Sequence, residues 1–347
     1  MHPTHLDELL LIDSAAETAR LSQWLRQAVL SQLRRRGAVV GISGGVDSAV
    51  VLSLCVKAFG PDKVIGLILP DRESSPESEQ LARQLSAELR IEPELEDVTP
   101  ALEGLGCYRR RDEAIRRAFP EYDPDAGYRA KLVLPGSVLG SAPVNVFVLT
   151  IVRPDGSEAS CTVEPAEYLQ IVAATNLKQR TRMARLYYHA ELHHFAVIGT
   201  ANRNERELGF FVKYGDGGVD AEPIAHLYKT QVYQLAEYLD VPIQIRRRTP
   251  TTDTYSAPCS QQDFFFRMPF ATLDRLWSAQ ANNLDPGAVA QDLGLATVQV
   301  ERAFKDLSQK QRATEPLRQP PLRPPPQTVG VNRRHAGAEL EDCVVSL

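Results

Sequence analysis

The chain has 347 residues, 43% hydrophobic and 24% charged, ordinary values for a globular protein and enough for one large domain with an insertion. A formal charge of -5 gives no general electrostatic reason to bind nucleic acid, so a small-molecule substrate fits better. Cys55, Cys107, Cys161, Cys259 and Cys343 lie scattered without C-x-x-C spacing, so the cysteines indicate neither a zinc site nor a disulfide framework and suit a reducing compartment. The first residues hold no basic region followed by an apolar stretch, and no run approaches the roughly eighteen apolar residues of a membrane span, so a cytoplasmic protein is expected.

Apolar residues at Leu21, Trp24, Leu25, Val29 and Leu33 predict an amphipathic helix from Ala15 to Arg36, with Arg34, Arg35 and Arg36 at its negative end and Gly37 as its stop. A buried strand is expected over 38–42 and a helix through Val50 to Phe59. A second strand follows from Val64 to Leu69, then a helix from Pro76 to Leu89 and a weak third strand from Glu94 to Val98. Strand, helix and strand with short connections predict an α/β fold, a parallel sheet covered by helices on both faces.

Between Cys107 and Tyr168 the rhythm changes. A charged helix opens at Arg109, Pro120 and Pro124 break it, and strands are expected over 131–134, Val144 to Val152 and Glu158 to Val163, the last two joined by the turn Arg153-Pro154-Asp155-Gly156. This stretch reads as an insertion holding a β-hairpin. Its Arg109–Arg117 basic cluster is either a contact for an anionic substrate or a solvated helix face.

Alternation resumes with a long helix over 169–190, a strand over 195–199, a helix from Lys229 to Leu239 and two short helices between Ala288 and Ser308. The domain is expected to end near residue 315. A proline-rich tail over 316–347 reads as extended or disordered.

Gly41-Ile42-Ser43-Gly44-Gly45-Val46-Asp47-Ser48 joins the first strand to its helix, and small residues with hydroxyls at that junction build a phosphate pocket. Asp47 would repel phosphate unless a cation sat between them, which points to a nucleotide with a metal. The spacing is neither that of a Walker loop nor that of a dinucleotide-binding turn. Further on stand Gly199-Thr200-Ala201-Asn202-Arg203-Asn204-Glu205, then Lys213-Tyr214-Gly215-Asp216-Gly217-Gly218-Val219-Asp220, Leu227-Tyr228-Lys229 and Pro250-Thr251-Thr252-Asp253. Taken singly, Thr200 and Thr251 read as turn or cap residues, Arg180 as a solvated charge and Glu205 as a surface carboxylate near a helix start.

In order and spacing these strings resemble the NAD synthetase family, ATP pyrophosphatases with an SGGxDS loop, over nearly the whole core apart from the insertion. The resemblance implies a Rossmann-like fold of the adenine nucleotide alpha hydrolase type, and an enzyme that adenylates the carboxylate of nicotinic acid adenine dinucleotide and aminates it with ammonia. It implies ATP contacts from Gly41 to Ser48, Thr200, Lys229 and Thr251, and magnesium ligands at Asp47 and Glu205. Catalytic roles fall to Asp47 and Lys229, and contacts to the deamido-NAD substrate to Arg180, Lys213, Asp220, Gln309 and Lys310. Glutamine-dependent relatives carry an extra amidohydrolase domain, for which the sequence ahead of Gly41 has no room, so free ammonia is the expected nitrogen source. A homodimer is also implied.

The segment from Tyr255 to Phe266 departs from the family, as does the insertion, which leaves a ligase for a different carboxylate as an alternative. A second alternative rests on 288–304, which resembles a helix-turn-helix, although Thr297, Gln299, Glu301 and Arg302 make a sparse, partly acidic face for reading DNA. A third is a catalytically silent scaffold, against which Asp47, Glu205 and Lys229 weigh.

Overall fold

The computed structural model describes residues 5–140, 146–251 and 254–324. After one helical turn, α1 (His5–Glu8), helix α2 spans Ser14–Arg26, started by Asp13, whose carboxylate accepts from the Ala15 and Ala16 N–H groups at 3.1 and 3.0 Å. It continues as a π-helical segment, Gln27–Gln32, in which Leu33 N–H reaches back to Ala28 O. The expectation that Gly37 stops this helix is corrected, because Arg34 turns left-handed at φ 54° before it. Gly37 serves close approach instead: a Cβ there would stand 2.3 Å from Lys63 O and 2.8 Å from the Phe195 ring.

Strand β1 (Ala38–Gly41) pairs in parallel with β2 (Val64–Ile68), Ala38 opposite Val64 and Gly41 opposite Leu67, and helix α3 (Val46–Phe59) connects them. Helix α4 (Pro76–Glu88) leads to β3 (Glu94–Leu95), parallel to β2 at the sheet edge and shorter than the sequence suggested. Helices α5 (Thr99–Gly104) and α6 (Cys107–Ala118) follow. Strands β4 (Arg129–Val133), β5 (Val148–Val152) and β6 (Glu158–Thr162) form a separate antiparallel sheet, its second turn closed by Gly156 at φ 84°. Val144, expected to begin the middle strand, lies outside the described residues.

The 29-residue helix α7 (Pro165–His193) then returns to β7 (Ala196–Val197), parallel to β1, which completes a main sheet of order β3-β2-β1-β7. Side chains alternate across β1, so Ala38 and Val40 pack with Leu25, Val50 and Leu54 on one face while Val39 packs with Leu67, Met183 and Leu186 on the other. Helices therefore cover both faces. Cys107 and Tyr108 of α6 lie in that second cluster, so the helical start of the expected insertion belongs to the core, whereas the three-stranded sheet has its own cluster around Leu132, Leu149 and Ile151.

Short helices α8 (Arg203–Leu208), α9 (Lys229–Tyr238) and α10 (Ile243–Arg247) follow β7. Helices α11 (Phe270–Ala281), α12 (Pro286–Leu293) and α13 (Thr297–Ala313) bury Leu273, Trp277, Val289, Val300 and Leu307 together with Leu6 and Leu10. In α13, the helix that would read DNA, Gln299 and Arg302 turn to the Leu139 and Gly140 carbonyls. The tail reading is corrected at its start: Glu315–Arg318 forms a helical turn, α14, in which Arg318 donates to Glu207 O at 2.9 Å and Gln311 O at 2.7 Å. Residues 325–347 lie outside the described residues, and among those described no helix is long and apolar enough to cross a membrane.

Candidate active site

A cleft of about 420 Å³ opens beyond the carboxyl ends of β1 and β2, where open α/β sheets collect ligands. One wall is apolar, with Leu67, Leu69, Met183 and Leu186, and suits a flat ring. The other is the turn after β1. There Ser48 Oγ donates to Gly45 O at 3.0 Å and accepts from Ser43 N at 3.3 Å, so the two hydroxyls brace the loop from within. Gly44 sits at φ 71°, and a Cβ on it would meet Ser78 O at 2.7 Å. No side chain caps the first turn of α3, which leaves its N–H groups for an anion.

Three segments bring charge to this turn. Lys229, fully buried at the start of α9, bonds through Nζ to Asp47 Oδ2, while Asn202 Nδ2 donates to Asp47 Oδ1 at 2.9 Å. Asn202 also caps α8: its side-chain oxygen accepts from Glu205 N at 3.1 Å, and Glu205 Oε2 accepts from Asn202 N at 3.2 Å. Lys229 itself is placed by α8 and α11, since its N–H donates to Asn204 Oδ1 at 3.2 Å and the Thr230 N–H to Asp274 Oδ2 at 2.8 Å. Burial opposes the Lys229 charge, yet Asp47 and Glu205 outweigh it and raise the lysine pKa above its ordinary value. Burial, and next the charge of Asp47, push the Glu205 carboxyl up to about 8 against the pull of Lys229. Two half-buried carboxylates sharing one lysine form an oxygen-rich, charge-deficient pair, the donor set a hard dication satisfies.

The candidate ATP residues come together. Gly41, Ile42, Ser43, Asp47, Ser48, Thr200, Glu205 and Thr251 line the cleft, while Gly45, Val46 and Lys229 line an annex of about 70 Å³ that shares Ser43, Asp47 and Thr251 with it. Gly44 lines neither and packs on Ser78 and Arg248. Asp253 and Thr252 of the last quoted string lie outside the described residues.

The candidate dinucleotide contacts line neither the cleft nor the annex. Arg180 Nε reaches Lys213 O at 3.4 Å, and Lys213 Nζ donates to Pro316 O and Gln319 O, each at 2.9 Å. Asp220 accepts from Tyr187 OH at 3.0 Å and from Val197 N at 2.8 Å, bracing β7. Gln309 is exposed, and Lys310 turns to Phe265 O and Asp306.

Sequence reasoning passed over several residues that shape the cleft. Asn202 is one, although with Glu205 it carries the N-x-x-E signature of a capping box. Gln261 donates to Glu205 Oε1 at 3.2 Å, and Arg248 donates to Ser78 Oγ at 2.8 Å while lying 3.4 Å from Gly44 O; neither carries a local signal. Arg182 holds Asp71 Oδ2 at 2.9 Å, and Lys178 and Arg111, both buried, reach Glu73 at 2.7 Å, so this network clamps the loop whose Ser74 and Ser75 line the rim. The Arg109–Arg117 cluster thus divides: Arg111 is interior, whereas Arg109 and Arg117 pair at the surface with Glu113 and Glu167.

A helix start without a side-chain cap, facing two acids with Lys229 beside them, places the protein among α/β proteins built to hold a nucleotide's phosphates. Comparison with known proteins narrows that class. A family model described as NAD synthase matches residues 17–117 and 151–316, and the chain belongs to this family. A protein of Mesorhizobium japonicum named NH(3)-dependent NAD(+) synthetase is 49% identical over 314 residues, 90% of this chain and 98% of the relative. Proteins of the same name from Rhizobium meliloti and Thermotoga maritima are 44% and 37% identical, over 89% and 83% of this chain and 92% and 94% of their own lengths.

Among solved structures, an NMN synthetase from Francisella tularensis is similar in fold with a TM-score of 0.61 at 23% identity, covering 91% of this chain and all of its own. An NH3-dependent NAD synthetase from Campylobacter jejuni gives 0.57 at 20%, covering 90% and 99%. Residues 118–150, outside the family match, include β4 and the first three residues of β5.

Proposed function

We propose that the protein is an ammonia-dependent ligase that converts nicotinic acid adenine dinucleotide to NAD with cleavage of ATP to AMP and pyrophosphate. The observation that carries this reading is the meeting of Asp47, Glu205 and Lys229 over the uncapped start of α3, in a chain whose relatives bear that activity in their names. The apolar wall takes the adenine, and the annex with Gly45, Val46 and Lys229 takes the phosphates that leave. A magnesium ion held by Asp47 and Glu205 supplies charge neutralisation on the phosphates.

The substrate carboxylate attacks the α-phosphorus in line, forming an acyl-adenylate as pyrophosphate departs toward Lys229, whose charge stabilises it. Ammonia then attacks the acyl carbon, the C–O bond to AMP breaks and the amide forms. Asn202 keeps Asp47 oriented throughout. No covalent bond to the protein is required, so positioning and charge carry the catalysis.

Arg180, Lys213, Asp220, Gln309 and Lys310 belong to this reading as contacts to the dinucleotide beyond the cleft of one chain, and a two-fold dimer completes it. Incubation with nicotinic acid adenine dinucleotide, ATP, magnesium and ammonium should yield NAD and AMP in equal amounts. A folded preparation that forms neither overturns the proposal, and nicotinic acid mononucleotide in place of the dinucleotide checks the substrate assignment. Lys213→Ala should raise KM for the dinucleotide and leave that for ATP unchanged. Sedimentation reports the dimer.

A further inference from the structure

At the sheet edge opposite β7, helix α7 presents His189 and His193 one turn apart on the same face, and β3 brings Glu94 beside them. One ligand atom from each of the three lies within 4.8 Å of the other two. His189 is 7% exposed, and both of its ring nitrogens are closed to solvent without a hydrogen bond. Yet Nδ1 is 3.1 Å from Glu94 Oε2, and Nε2 is 3.4 Å from Glu96 Oε2. Buried polar nitrogens left unpaired are uncommon and costly. Here the oxygens stand close to the nitrogens without the alignment a hydrogen bond needs, as ligands converging on a shared centre do.

We propose that Glu94, His189 and His193 bind a divalent metal ion of the zinc class. Two imidazoles and one carboxylate are a zinc-type donor set, and three protein ligands leave a fourth position for water. Magnesium and calcium prefer all-oxygen surroundings, so this site differs in kind from the Asp47 and Glu205 pair. Glu96, held by Arg185 Nε at 2.7 Å, stands behind the other nitrogen of His189 as the outer carboxylate that orients a metal-bound histidine. Glu94 and His193 are exposed, which gives an ion a route in. Once bound, the ion ties the two-residue edge strand β3 to the last turns of α7.

The test uses full-length protein without a histidine tag, stripped with a chelator and kept in excess magnesium so that the cleft acids are occupied. Zinc is then titrated at micromolar concentration and bound metal measured after equilibrium dialysis. The expected result is one zinc per chain, a raised Tm on binding, and a cobalt derivative with the visible absorption of a four-coordinate site. His193→Ala, at an exposed position, should lose that equivalent of metal and the Tm rise while keeping zinc-free ligase activity, and His189→Gln should lose the metal too. Wild-type protein that takes up no zinc, or His193→Ala that takes up as much as wild type, overturns the proposal. Ligase activity is read separately, so either result leaves the proposed reaction standing.

Discussion

Asn202 donates its side-chain amide to Asp47 Oδ1 at 2.9 Å and accepts from the Glu205 N–H at 3.1 Å, so one residue fixes both acids of the candidate magnesium pair. Asn202→Ala should lower kcat/KM by about 10- to 100-fold, the usual cost of losing a group that orients a metal ligand, and raise the magnesium concentration giving half-maximal rate. Steady-state rates across a magnesium series check this. An unchanged magnesium requirement would mean that the contact is only a helix cap.

In the proposed reaction Lys229 stands at the leaving-group end, in the annex beside Gly45 and Val46. Lys229→Met should cut kcat by about 10² or more, with a smaller change in KM, because a charge aimed at departing phosphate acts mainly in the transition state. Asp47 also loses its counter-ion, so the variant should melt lower than wild type without magnesium and recover when magnesium is added. Kinetics and thermal melts on one preparation read both effects.

Arg248 grips Ser78 Oγ at 2.8 Å and lines the phosphate annex beside Gly45 and Lys229. Losing this brace, a charge-assisted hydrogen bond of about 1.5–3 kcal/mol, predicts that Arg248→Ala loosens the turn at Gly44 and raises KM for ATP. Arg248→Lys should not restore it, since the fork reaches Ser78 and the Gly44 carbonyl together. Initial rates at varied ATP decide it.

The buried Lys178, Arg111 and Glu73 network governs stability. Lys178→Met strands Asp71 and Glu73 with one fewer cation and should cost about 3–5 kcal/mol in urea unfolding. Burial opposes the ionisation of Glu73, but the hydrogen bonds and charge of Arg111 and the charge of Lys178 outweigh it and hold its carboxyl down to about 2 from an ordinary 4.5. The native state therefore binds the proton less readily than the unfolded chain. The resulting stability, on the order of 3 kcal/mol, is present above pH 4.5 and lost as pH falls toward 2. Urea melts of wild type and Glu73→Gln should converge across that window.

Much of the nucleotide half could be read from residues alone, because a phosphate turn needs small residues at fixed positions and buried parallel strands need continuous apolar runs. Val39, Val40 and the Gly41–Ser48 turn carry that pattern locally, and the structure places Asp47 and Lys229 in contact. What stayed hidden depends on distant partners. Arg111 sits in a run that reads as a solvated face, and only Glu73 and Lys178 make it an interior residue. Helix α11 escaped notice although Phe270, Leu273 and Trp277 have helical spacing, since no residue there matched a site motif. The first long helix ends at Arg34, ahead of the expected stop, and Gly37 answers to Phe195 and Lys63, contacts no local rule contains.

The ammonium of Lys213 is already held by the carbonyls of Pro316 and Gln319, and Thr314 fills the space above Gly209. Cutting the chain before Thr314 would therefore do more than shorten it, since it would untether a lysine and bare a glycine turn on the face that carries Arg180. For protein engineering, residues 314–319 count as part of the folded unit, and a fusion partner belongs beyond them.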